Sequence, residues 1–170
     1  MPRKVLSVLV DNHAGVLARI TSLFGQRGFN IDSLSVAATD DPTLSRITIV
    51  TTGAQPELDQ IVKQTAKLLE TRAVFTVEPS SGVLRELLLV KVGADETSRA
   101  ALRDIALIYK AKIIDLSPGS MIFELTGEPD KIDAYLEMLR DYPVLELCRT
   151  GITALQRGER EYTLKERMLP

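Results

Sequence analysis

The sequence predicts an α+β fold built from two βαββαβ units in tandem. Short β-branched runs alternate apolar and polar residues, while two longer stretches in each half carry apolar stripes at helical spacing. These elements come in the order β-α-β-β-α-β over residues 1–78. After the break Pro79-Ser80-Ser81-Gly82 the same order returns, at a period of roughly 80 residues.

In Lys4–Val10 (KVLSVLV), Leu6, Val8 and Val10 share one face and Val5, Ser7 and Leu9 the other. Brevity and β-branched content favour a strand. Two largely apolar faces make it central or set it against a second interface. In Val16–Arg27, Val16, Leu17, Ile20, Leu23 and Phe24 form one stripe of an amphipathic helix, with Arg19, Gln26 and Arg27 off it. Gly28 stands where a left-handed residue closes a helix at least cost. Ile31–Thr39 reads as a strand, Asp40-Asp41-Pro42 as a turn, and Thr43–Thr52 as a third strand. From Glu57 a helical stripe runs through Leu58, Ile61, Val62, Leu68 and Leu69, and Thr71–Glu78 closes the half as a fourth strand. This order is the ferredoxin-like arrangement, with two helices on one face of a four-stranded antiparallel sheet. The other face is expected to stay open, and an open face with free edges wants a partner.

The second half reads as strand Glu86–Val92, helix Thr97–Tyr109 capped by Thr97 or Ser98, and strands Ala111–Leu116 and Met121–Thr126. A helix from Pro129-Asp130 carries Ile132, Tyr135, Leu136 and Leu139, and Val144–Ala154 is one long last strand. The expected boundaries are a first domain over 1–78, a linker over 79–83, a second ferredoxin-like domain over 84–156 and a charged tail over 157–170.

Composition narrows the function. Apolar residues make up 45% of the chain, so a core can be buried. No apolar run approaches the roughly 18 residues of a membrane span, and Val5–Val10 is too short and interrupted for a signal peptide. A net charge of −2 gives no reason to expect nucleic acid. Cys148 and His13 are the only residues of their kinds, which excludes an intrachain disulfide and a Cys/His zinc site within one chain. These facts fit a reducing, cytoplasmic setting.

The stretch with chemical promise is Asp11–Leu17, DNHAGVL, a polar loop with one glycine opening straight into a helix. Helix starts leave backbone N–H groups free for an anion. Gly15 lets a ligand or a second backbone approach closely, the N–H groups near Val16 and Leu17 point out of the helix start, and Asn12 offers both a carbonyl and an amide. The plainer reading is that Asn12 caps the helix and Gly15 makes the turn. His13 has no assigned partner that would make it catalytic. Asp40 and Asp41 read as a turn rather than a metal site, and Arg19, Arg27 and Arg46 as solvated surface. The corresponding loop of the second half, Gly93-Ala94-Asp95-Glu96, carries two carboxylates and is expected to repel an anion.

The run DNHAGVLARITSLFGQRGFNIDSLSV, followed by DDPTLSRITIV, closely resembles the regulatory (small) subunit of acetolactate synthase, also called acetohydroxyacid synthase. The similarity continues through IIDLSPGSMIFELTG and RTGITALQRG and covers nearly all but the last dozen residues. The first half is similar to an ACT domain, a ferredoxin-like module that binds amino acids. The resemblance implies a chain with no catalytic centre, acting in the biosynthesis of valine, leucine and isoleucine. Its partner would be a separate large subunit that uses thiamine diphosphate, magnesium and FAD. It would activate that partner and confer feedback inhibition by valine or a related branched-chain amino acid. It further implies a homodimer through the ACT domains, with valine between them. Asn12, Ala14, Gly15, Val16 and Leu17 match the loop and helix start that hold the amino acid, and Asn30 and Ile31 match the strand start that completes the site from the second chain. The alternatives are a stand-alone amino-acid-sensing regulator and an acylphosphatase-like hydrolase. The hydrolase would want an arginine in the loop after the first strand, and DNHAG has none.

Overall fold

The computed structural model describes residues 3–159 and Leu164. The chain groups into two compact units, one running Met1–Val83 together with the stretch that begins at Ile152, the other Leu84–Gly151. Each is a ferredoxin-like βαββαβ fold.

In the first unit the order is β1 (Arg3–Asp11), α1 (Val16–Gln26), β2 (Ser33–Ala38), β3 (Leu44–Thr52), α2 (Gln55–Thr65) and β4 (Thr71–Val77). The sheet order is β2-β3-β1-β4 with every pair antiparallel, so β1 is central as its two apolar faces require. Leu6, Val8 and Val10 of β1 meet Val16, Ile20 and Phe24 of α1 and Ile61 of α2 in one core. Each fully buried side chain of this kind is worth about 1.5–3 kcal/mol.

The helix-free face is not open. Val5, Ser7, Leu9, Thr48 and Val50 are all buried on it. Part of the reason is the returning C-terminal stretch. Ser33 lies opposite Val50, which lies opposite Val5, so all three project from this face. Ser33 Oγ accepts the Ile152 N–H at 2.9 Å, and Ile152 and Ala154 are themselves buried. Gln156 adds a bond from Nε2 to the Ser81 carbonyl at 2.9 Å and accepts the Glu78 N–H at 3.3 Å. Residues 152–156 group compactly with the first unit, while their strand, Thr153–Gln156, hydrogen-bonds to the strand Gly82–Gly93 of the five-stranded sheet, in keeping with the expected span of the second half. The charged tail falls mostly outside the described residues.

The second unit holds β5 (Gly82–Gly93), α3 (Arg99–Tyr109), β6 (Lys112–Ser117), β7 (Ser120–Gly127), α4 (Pro129–Met138) and β8 (Val144–Arg149), with strand order β6-β7-β5-β8. Its core joins Leu88, Val90 and Val92 to Leu102, Phe123 and Tyr135. The strand expected over Val144–Ala154 is two, β8 and then β9 (Thr153–Gln156). Thr150 breaks the run by exchanging bonds with Leu87, its N–H with the carbonyl and its hydroxyl with the N–H.

Other boundaries moved for local reasons. β5 begins at Gly82, inside the expected linker. α2 ends before Leu68 and Leu69, because the N–H groups of Lys67 and Leu68 turn back three residues instead of four, to Gln64 and Thr65. β2 starts at Ser33 rather than Ile31, although the Asp32 N–H already reaches the Val50 carbonyl.

Candidate functional site

The loop Asn12–Gly15 leaves the end of β1 and enters α1. Gly15 is the residue at the helix start and sits at φ 88°, ψ −15°, a left-handed conformation that costs a β-carbon-bearing residue strain. Nothing stands within 4 Å of where its Cβ would be, so the space over the helix start is open. No side chain caps the helix. Among the described residues, the N–H groups of Leu17 and Ala18 have no acceptor, and that of Val16 reaches only the His13 carbonyl, at 3.5 Å. A left-handed residue followed by helical ones turns successive N–H groups toward one point, the geometry of an anion nest.

Asn12 is not the cap. Its N–H goes to the Thr43 carbonyl at 2.8 Å and its Nδ2 donates to the Pro42 carbonyl at 2.9 Å, tying the loop to the turn before β3. The side chain is spent on holding the loop, and its own carbonyl oxygen remains exposed with the residue. His13 is exposed and donates from Nδ1 to the Ala14 carbonyl at 3.1 Å. Ala14 and Leu17 are exposed, while Val16 is buried in the core beneath the helix start. A shallow depression of about 360 Å³ lies beside the loop, lined by Asp11, Asn12, His13, Pro42, Thr43 and Arg72.

Asn30 and Ile31 lie elsewhere. They precede β2 at the opposite end of the sheet, where the Asn30 carbonyl accepts from Thr51 Oγ1 at 2.7 Å and Asn30 Nδ2 donates to Asp32 at 3.3 Å. Asp11 faces Leu44 and Ser33 faces Val50, so about six residues of β3, roughly 20 Å, separate the two groups. One chain does not bring the seven residues together. A larger cleft, about 770 Å³, lies at that opposite end, between the last turn of α1 and the first of α2, with Arg27, Phe29, Gly53, Gln60 and Gln64 in its wall. It does not reach the glycine loop.

Two residues near the loop went unread in the sequence. Arg72 of β4 lays its guanidinium on both oxygens of Asp11, with Nε 2.8 Å from Oδ1, and this contact raises its already high pKa. Glu70 accepts from Arg19 of α1. Ion pairs across 61 and 51 residues leave no periodic trace in a sequence. Arg46, read as solvated surface, is half-buried: Nε donates to Ser7 Oγ at 2.7 Å and the guanidinium lies 5.2 Å from the Phe75 ring centre.

The turn just ahead of α3 in the second unit carries a carboxylate of its own. Asp95 Oδ1 accepts the N–H groups of Thr97 and Ser98 at 3.1 and 2.8 Å and the hydroxyls of both at 2.8 and 2.7 Å. Ser98 stands at the N-cap position, one of the two expected, without a capping bond from its own hydroxyl; the acceptor comes from Asp95, and the helix itself begins at Arg99. These bonds, those from Ser98 foremost, hold the Asp95 carboxyl well below the usual carboxylate range.

Among the described residues no three His, Cys, Asp or Glu side chains gather as metal ligands, and no helix is long and apolar enough to cross a membrane. Comparison with known families matches residues 6–73 to the ACT domain of acetohydroxyacid synthase small subunits and residues 85–158 to the small subunit of acetolactate synthase. The acetolactate synthase small subunit of Mycolicibacterium smegmatis is 42% identical over 94% of this chain and 94% of its own length. The isozyme 3 small subunit of Salmonella typhimurium is 43% identical over 93% of this chain and 98% of its own. The crystal structure of the Thermotoga maritima acetolactate synthase small subunit superposes with a TM-score of 0.86 at 36% identity, over 94% of this chain and all of that one. The chain belongs to the family of acetolactate synthase small subunits.

Proposed function

We propose that this chain is a non-catalytic regulatory subunit that binds a branched-chain amino acid, valine first, at the Asn12–Leu17 loop. It activates a separate catalytic subunit and makes it sensitive to that amino acid. The observation that carries the reading is the uncapped helix start at Gly15, with free N–H groups and open space above them. A free amino acid brings a carboxylate for those N–H groups, and the helix dipole favours it by about 0.3–1 kcal/mol. The ammonium finds the oxygens of Asn12 and, from a second chain, Asn30. The branched side chain finds apolar surface at Ala14, Leu17 and Ile31.

A second copy is needed to complete the site, and the sheet offers a place for it. β2 is an edge strand, and Val36 on it is 41% exposed with Ala37 and Ala38 open beside it. Exposed apolar edge strands invite pairing. A copy laid antiparallel along β2 carries its Asn30–Ile31 end to the end of the sheet where this chain's glycine loop lies. Ligand binding then favours one dimer geometry, and a coupling of about 1–3 kcal/mol suffices for feedback. Valine, leucine and isoleucine differ by a methylene or its position, so discrimination among them is worth only about 1–3 kcal/mol. Thiamine diphosphate, magnesium and FAD belong on this reading to the catalytic partner, and both proteins to the cytoplasm.

The test is calorimetry with L-valine on the wild type and on Gly15→Asp. Aspartate tolerates the left-handed backbone better than most residues, so the variant folds, but it sets a carboxylate where the ligand's belongs. Affinity is expected to drop at least about a hundredfold, about 2.8 kcal/mol. Equal affinity in the two proteins rejects the site. Activity of the co-purified catalytic subunit, with and without valine, tests the regulatory role.

A further inference from the structure

The start of β4 reaches both ends of the glycine loop. Arg72 grips Asp11, the residue before the loop, in a two-pronged contact. Glu70 grips the other end, its carboxylate accepting from Arg19 Nη1 in the first turns of α1. The Glu70 carbonyl adds a third tie by accepting the Asp11 N–H at 2.9 Å. Glu70 is only 7% exposed and Arg72 only 9%. Burying Arg72 with Asp11 offsets most of what their pairing gains, and the Arg19 side chain is 60% exposed, so its pair with Glu70 is a largely solvated one of small worth; around one short loop the two pairs are a poor device for stability alone. Nor do they replace the loop's ligand, since the N–H groups of Leu17 and Ala18 stay free.

We propose that Glu70 and Arg72 are positioning residues that hold the Asn12–Leu17 loop in its anion-ready shape before any ligand arrives. The inference rests on the amino-acid reading of that loop. Its chemistry is preorganisation: a loop fixed in the bound shape loses little freedom on binding. Arginine's planar fork suits the Asp11 contact in a way the single ammonium of lysine does not.

The experiment is calorimetry with L-valine, together with thermal unfolding, on the full-length wild type, Glu70→Gln, Arg72→Lys and a reference variant, Glu86→Gln. Glu86 is 5% exposed and accepts from Arg149 Nε at 2.7 Å in the other unit, so its loss weakens a comparable pair away from the loop. Valine affinity is expected to fall about tenfold in Glu70→Gln and Arg72→Lys and to stay within about twofold in Glu86→Gln, as lost preorganisation requires. All three variants should lose thermal stability to a similar degree. A wild type that binds, beside Glu70→Gln and Arg72→Lys of unchanged affinity, overturns the inference and leaves the loop reading standing. An equal loss of affinity in Glu86→Gln also overturns it, because general loosening then explains the effect. A wild type that takes up no valine overturns the loop reading and this inference with it.

Discussion

Helix α1 begins at Gly15 with no side chain over its N–H groups, whereas α3 begins behind Asp95, whose carboxylate is folded across two N–H groups and two hydroxyls. The two units share an order of elements and a sheet topology, so the contrast isolates one variable. Every helix start carries the same demand for an acceptor. In the second unit a carboxylate of the same chain covers the two N–H groups just ahead of the helix, although among the described residues those of Ala100 and Ala101 have no acceptor. The first has no such carboxylate over its helix start, and the proposed amino-acid site rests on that vacancy. The second loop does more than repel an anion by its charge: it already holds one.

The strongest way to break the contrast is to give the first helix the second one's cap. Asn12 stands three residues before Gly15, as Asp95 stands three before Ser98. Asn12→Asp therefore places a carboxylate at the equivalent position. Valine affinity measured by calorimetry should fall at least about tenfold, about 1.4 kcal/mol. Undiminished binding would show that the helix start is not where the ligand's anion sits.

A smaller effect sharpens the role of the backbone. Gly15→Ala meets no neighbour but must hold φ near 88°, so it should cost about 1 kcal/mol in chemical denaturation. Gly25, inside α1 with equally open surroundings and no such φ, should gain about 0.5 kcal/mol on replacement by alanine. Opposite signs from two exposed glycines of one helix would tie the cost to conformation rather than to space.

The smallest effect concerns acid. The folded-state pKa of Asp95 is depressed below its ordinary 3.8, so its contribution to stability is complete above about pH 4. It is lost as pH falls through the folded value. Asp95→Asn should flatten that part of the acid limb of stability against pH and leave the profile above pH 5 unchanged in shape. A variant whose acid limb matches the wild type's would show that the cap's charge contributes nothing.

What could be read in advance follows from the range over which each signal acts. α1 was expected over Val16–Arg27 and runs Val16–Gln26, because its apolar stripe and the left-handed stop at Gly28 are both local. The glycine loop was legible for the same reason. The grip of Glu70 and Arg72 on that loop was not, since charges carry no period that reveals which partner they meet. Asn30 and Ile31 were assigned through family likeness as a second chain's contribution, and within one chain they do lie at the opposite end of the sheet from Asn12. The covered face of the first sheet was missed because the contact that reaches it, from Ile152 to Ser33, spans 119 residues and leaves no periodic trace.

That return sets the order in which the molecule can be finished. Ile152 lies 119 positions after Ser33, whose hydroxyl accepts its N–H, so the ribosome delivers it only after residues 84–151. The nascent first sheet can pair its strands early, yet it waits through synthesis of the second unit for the stretch that bonds to Ser33. The half that emerges first is thus completed last, and a gene cut between the halves would strip it of its closing piece.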